Sequence, residues 1–212
     1  GAHDLFEPEY VEKLVAALEG DKTAILAFSD SGLVGKDGEP IPGDTPFIYP
    51  DLSSQDVLER YVRIIWTLSR CVLIHGIMRR EWVDLAPMER AKELPDVALL
   101  PALALVGPIL RVPEVLFFMR LARGFETREE NEAHLLDHGY VEKVGNYRDG
   151  RCLVLRNSLC ASIHESVYTS REKRRLVEIT HLCLAKRFRV PWEPFEFATI
   201  RERLPPPLGS LV

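Results

Sequence analysis

Apolar positions recur at helical spacing over much of this chain. Tyr10, Val11, Leu14, Val15 and Leu18 share one side of a helical projection ahead of Gly20, which predicts a short helix over residues 9–18. Residues 23–28 (TAILAF) form an apolar run too short for its period to separate strand from helix. Residues 29–50 hold four glycines, four prolines and three aspartates, a loop signature long enough to be a linker, a hairpin or an arm that docks on a partner. Ser53 and Asp56 then open the strongest pattern, in which apolar residues from Val57 to Met78 cover more than half of a helical circumference. Read as one helix over residues 55–80, it would run roughly 40 Å and form the spine of the fold.

Residues 97–110 read as a second apolar helix, which Pro101 and Pro108 must shorten or kink. Pro113 is well placed as the first residue of a helix over 113–123 (PEVLFFMRLAR), and a capped segment follows at 127–138. Two β-favourable runs, 140–145 and 151–156, flank Asn146–Gly150, whose Asp149-Gly150 pair suits a hairpin turn. The run LLDHGYVEKVGNYRDGRCLVLR resembles the helix end and wing of bacterial winged-helix regulators. That resemblance implies three helices on a small sheet, with a hairpin tip that touches a nucleic-acid backbone. Residues 158–168 and 170–188 read as two further helices, with Ser170 as a cap, and residues 190–212 as a non-helical tail with five prolines. The expected fold is therefore mainly α: a helical domain around a long central helix, with a winged-helix-like β-hairpin. An acidic N-terminal arm with a short helix (1–50) would precede a helical core (51–190) that contains the winged-helix-like segment 97–157. A proline-rich tail (191–212) would follow.

Charge changes this picture. The net charge of −5 argues against bulk nucleic-acid binding. Residues 1–60 carry four basic and thirteen acidic side chains, whereas residues 140–190 carry eleven basic and five acidic ones. The segment 127–138 is acidic at Glu129, Glu130, Glu132 and Asp137, so a phosphate backbone would repel it as a groove-reading helix. Lys143, Arg148, Arg151 and Arg156 of the wing, with Arg171, Lys173, Arg174 and Arg175 of the late helix, are the candidate nucleic-acid or partner-binding residues. Four cysteines among apolar neighbours fit buried thiols better than a disulfide framework. The apolar runs are too short or too interrupted to span a bilayer, and an intracellular place, cytoplasmic or nuclear, is expected.

The candidates for chemistry are thin. Cys71/His75 and Cys160/His164 are each spaced i,i+4 and would need to face one another to bind zinc. Glu178 and His181 form an E-x-x-H pair without the second such motif that a di-iron bundle needs. Ser29-Asp30-Ser31-Gly32 lacks the lysine of a phosphate loop and reads as a turn, and no nucleophile elbow or dinucleotide fingerprint is present. No catalytic residue, metal ligand or cofactor is assigned. The pattern points to a non-catalytic interaction or adaptor subunit that binds a protein partner, in a nucleic-acid-handling assembly. Two alternatives stand beside it: direct DNA or RNA binding through the basic wing and late helix, and a helical, metal-dependent enzyme in which His75, His164, His181 and Glu178 converge.

Overall fold

A computed structural model of the chain describes residues 4–41, 43–67, 72–83, 95–120 and 147–188. The fold is mixed α/β rather than mainly α. Its described residues divide into two compact units, each assembled from separate stretches of chain: a sheet unit from residues 4–53, 72–79 and 109–120, and a helical unit from 54–67, 80–83, 95–108 and 147–188.

The sheet unit contains β1 (Leu5–Phe6), α1 (Tyr10–Gly20), β2 (Leu26–Val34), a 3-10 turn (Val72–His75), β3 (Ile77–Met78) and β4 (Ile109–Arg120). Its four-stranded mixed sheet has the order β1-β4-β2-β3, with β2 and β4 parallel at the centre and β1 and β3 antiparallel on the outside. β2 (LAFSDSGLV) is buried on nearly every residue, as a central parallel strand must be. Against it β4 slips register twice around Asp30, which pairs with Val115 while Ser29 pairs with Val112. The first slip absorbs Pro113 and Glu114. Proline lacks the N–H that a regular central strand would require, so a bulge is where it can sit. α1 lays Tyr10, Leu14 and Leu18 on the sheet and leaves Val11 and Val15 exposed, a narrower buried face than the apolar pattern suggested.

The helical unit contains α2 (Val57–Thr67), α3 (Arg80–Val83), α4 (Pro95–Val106), α5 (Tyr147–Glu165) and α6 (Ser170–Phe188). α2, α4, α5 and α6 pack in a ring of neighbouring pairs around a core of Ile64, Leu100, Leu103, Leu159, Ile163 and Leu184. Asp56 starts α2 by accepting the Leu58 and Glu59 amides at 2.8 and 3.0 Å, so the cap lies three residues beyond Ser53. Arg60 is buried there, donating to the Ala104 and Ser54 carbonyl oxygens at 2.6 Å each. The cation thus closes the C-terminal end of α4, where the helix dipole favours positive charge.

Four expectations are overturned. The 55–80 spine is not one helix: α2 ends at Thr67, and Val72–His75, Gly76 and Ile77–Met78 turn the chain into the sheet. Gly76 makes this approach possible, because a Cβ there would collide with the Ala27 carbonyl oxygen. Residues 113–120 are strand, not helix; the apolar run Val115–Met119 is too short for its period to separate the two. Ser29–Gly32 is not a turn but the middle of β2, and of the forms left open for residues 29–50 the chain takes the hairpin: it returns along β2, with Phe47 and Pro40 bridging Ser31 and Val34 and with Tyr49 buried edge-on against Phe28. Finally, the expected Asn146–Gly150 hairpin turn and 151–156 strand are not formed over the described residues, because α5 runs from Tyr147 through Glu165. Leu155, Leu159 and Ile163 recur every four residues and are all buried, and Gly150 falls in the first turn, where helix propensity counts least. The winged-helix reading goes with the hairpin. The segments 127–138 and 140–145 and the tail 191–212 lie outside the described residues. Among the described residues no helix is long and apolar enough to cross a membrane.

Candidate functional site

Among the described residues, the start of α6 gathers the densest charge in the helical unit. Thr169 and Glu172 form a capping box: the Thr169 hydroxyl and amide donate to Glu172 Oε2 at 2.7 and 2.8 Å, and the Glu172 amide points back to Thr169 Oγ1 at 3.4 Å. The cap is therefore Thr169, not Ser170. These bonds hold the Glu172 carboxyl below its ordinary range. Lys173 reaches across to the His164 carbonyl oxygen at 2.8 Å, closing the C-terminal end of α5. Arg171, Arg174 and Arg175 remain exposed. Arg171 and Arg174 have no hydrogen-bond or ion-pair partner among the described residues. Glu172, the one carboxylate between Ser170 and Arg175, is committed to the cap. Positive side chains thus stand at the end of a helix that is itself positive.

Arg148, Arg151 and Arg156 lie elsewhere along α5. α5 and α6 are joined by only four residues, 166–169, and run antiparallel, with His164 beside Lys173 and Cys160 beside His181. Arg148 and Arg151 lie in the first turns of α5, at the far end of the pair, roughly 20 Å along the axis from Arg171 at 1.5 Å per residue. Arg156 sits midway, donating to Asn157 Oδ1 at 3.0 and 3.2 Å. Lys143 lies outside the described residues.

The titratable pairs weighed for chemistry are rearranged. Cys160 meets His181, at 3.7 Å between Sγ and Nε2, rather than His164, which is exposed. Burial pushes the Cys160 thiol up; burial, and then Arg156, pushes the His181 imidazole down. Both shifts favour the neutral pair over thiolate and imidazolium, so this contact lacks the activation a cysteine nucleophile needs. Nearby, the buried Tyr61 hydroxyl shares a 3.1 Å hydrogen bond with Thr180, and burial pushes Cys183 up to about 12. His75 belongs to the sheet unit, its ring stacked on Phe117 at 4.7 Å. Among the described residues no group of three or more His, Cys, Asp or Glu is placed to hold a metal ion. Cys71 lies outside them.

One arrangement in the sheet unit escaped the pattern of apolar and polar positions. Asp30, in the middle of β2, accepts two bonds from Arg111 of β4, Nε to Oδ1 at 2.7 Å and Nη2 to Oδ2 at 2.6 Å. The carboxylate is 5% exposed and the guanidinium 25%. Hydrogen bonding to Asp30 raises Arg111 further above its ordinary range. The available signal was an aspartate inside an apolar run, which the Ser29–Gly32 turn reading absorbed. The pair bridges the two central strands at their register break, and its chemistry is that of a tie.

No protein-family model, curated protein or solved structure matches this chain.

Proposed function

We propose that this chain is a non-catalytic interaction protein whose helical unit presents the start of α6 to an acidic surface of a protein partner. The observation that carries the reading is the pair Arg171 and Arg174, exposed, without partners among the described residues, and set where helix polarity opposes them. Residues three apart on a helix lie about 5–6 Å from one another, so the two guanidinium groups can engage neighbouring carboxylates on one surface of a partner. An extended polyanion fits less well. A duplex carries one charge per ~1.7 Å and would also face the net acidity of the rest of the chain.

The test is a fluorescence-anisotropy titration of the protein with a labelled glutamate-rich helical peptide, run beside single-stranded and duplex oligonucleotides at about 50 mM salt. The peptide should bind, and the double substitution Arg171→Ser, Arg174→Ser should weaken it about tenfold, on the scale of two charge-assisted contacts. Tighter binding of either nucleic acid than of the peptide would reassign the surface to phosphate. Absence of all binding at that salt would remove the proposal.

A further inference from the structure

A cavity of about 380 Å³ opens in the helical unit where the ends of α4 and α5 meet α3. Its apolar walls are Ala102 and Leu105 of α4 and the half-buried Trp82 of α3. Val106 and Val167 stand at its rim, 39% and 98% exposed. Valines displayed singly are common on protein surfaces, but two on the rim of one apolar cavity form a patch. The cavity also adjoins the basic start of α6. Val167 precedes Arg171 by four residues, so their Cα atoms are at most about 14 Å apart. A helical segment of a partner covers that span in about nine residues.

The hydroxyls and the carboxylate on the cavity wall are already engaged. Ser162 Oγ donates to the Ser158 carbonyl oxygen at 3.1 Å, and Ser166 Oγ to that of Ile163 at 2.6 Å. The Tyr168 hydroxyl donates to the Leu105 carbonyl oxygen at 2.5 Å and accepts a bond from the buried Arg60 guanidinium. Arg60 in turn donates to the Ala104 and Ser54 carbonyl oxygens and is not a lining residue. Glu165 has an interaction of its own within the chain. An apolar guest leaves all of these bonds intact, whereas a carboxylate would have to share the cavity with Glu165.

We infer that the acidic partner carries a large apolar side chain, of the size of phenylalanine, which seats in this cavity while neighbouring carboxylates meet Arg171 and Arg174. The volume is that of a small ligand pocket and holds one aromatic side chain. Burial of the anchor against Ala102, Leu105 and Trp82 supplies affinity, and the arginines supply charge matching and orientation. This mode of docking rests on Arg171 and Arg174 as partner-facing groups, and it adds the chemistry of the segment they meet.

Two glutamate-rich helical peptides of equal charge, alike except for one central Phe or Ala, are titrated by fluorescence anisotropy at about 50 mM salt. The Phe peptide should bind about tenfold more tightly than the Ala peptide, the increment of one buried aromatic anchor. Ala102→Leu, which fills the cavity, should remove that advantage and leave the affinity of the Ala peptide unchanged. Val167→Ser, at an exposed position that the fold does not need, should reduce the advantage without a change in stability. In an NMR spectrum of the isotopically labelled protein, the Trp82 indole N–H signal, assigned with Trp82→Phe, should move with the Phe peptide and stay with the Ala peptide. Equal affinity for the two peptides, or an unmoved Trp82 signal on saturation with the Phe peptide, would overturn the anchor and leave the arginine reading standing. An advantage that survives Ala102→Leu in the folded protein would place the side chain elsewhere and overturn it as well. Failure of both peptides to bind would overturn the anchor and the arginine reading together.

Discussion

The two units spend their arginines differently. In the sheet unit Arg79 donates to the Leu18 and Ala24 carbonyl oxygens, Arg111 grips Asp30, and Arg120 binds the Lys36 carbonyl oxygen. Each ties two separated pieces of chain together. In the helical unit Arg60 is used in this way, while Arg171 and Arg174 have no such partner among the described residues. A small mixed sheet with short outer strands needs these cross-ties. Four packed helices hold themselves together by apolar burial and can leave charge at the surface for another purpose. Charge that ties the fold should be costly to remove, and charge held for a partner should be cheap or even advantageous to remove.

The largest effect should come from Arg111→Met. It keeps the apolar stem but leaves a buried carboxylate without its partner, and a loss of about 3 kcal/mol is expected in denaturant unfolding. A loss below about 0.5 kcal/mol, the size of an ordinary surface substitution, would show that the pair is dispensable and would erase the contrast between the units. Next is Tyr61→Phe, which removes one buried hydroxyl while Thr180 keeps its 2.7 Å bond to the Leu176 carbonyl oxygen. A loss of about 1 kcal/mol should follow, with the apolar packing of the helical unit unchanged in its near-ultraviolet circular dichroism.

Legibility in the sequence divides along the same line. α4 and α6, whose ends lie near Gly107 and Thr169, followed from periodicity and local signals to within a few residues. The sheet did not, because its central strands carry no alternation: β2 is buried on nearly all sides, and β4 mixes Arg111 and Glu114 with the apolar run Val115–Met119. The Asn146–Gly150 turn chemistry was real as local preference, but burial of Leu155, Leu159 and Ile163 overrode it. Of the candidate site, Arg171, Lys173, Arg174 and Arg175 were named from charge alone. Their separation from Arg148 and Arg151 required the antiparallel helix pair, and Asp30–Arg111 required two strands 81 residues apart in sequence.

Smaller effects sharpen the contrast. The capping box at α6 should respond to acid: the Glu172 carboxyl is held below its ordinary value by Thr169, so its contribution is full above about pH 4.5 and is lost as pH falls through the depressed native value. Protection factors of the amides of residues 172–175, each referred to the intrinsic exchange rate at its own pH, should fall accordingly at pH 3, and Thr169→Ala should produce the same fraying at pH 7. Equal protection at both pH values in the native protein would mean the box carries no stability. The smallest effect has the opposite sign. Arg171→Glu places an acid in the first turn of α6 and should stabilise the chain by about 0.5 kcal/mol, read as a small rise in Tm. A fall in Tm would mean that Arg171 is structural after all.

The most direct test of the central claim compares charge reversal in the two units under one binding assay. Arg171→Glu with Arg174→Glu in α6, and Glu12→Lys with Glu19→Lys in α1, are titrated against the glutamate-rich peptide over a range of salt. The account predicts that the α6 reversal abolishes binding and its salt dependence while the fold is retained or gains stability, and that the α1 reversal, which leaves Arg171 and Arg174 in place, changes affinity only by the modest, salt-screened amount of a change in net charge. Unchanged peptide affinity in the folded α6 variant would contradict it.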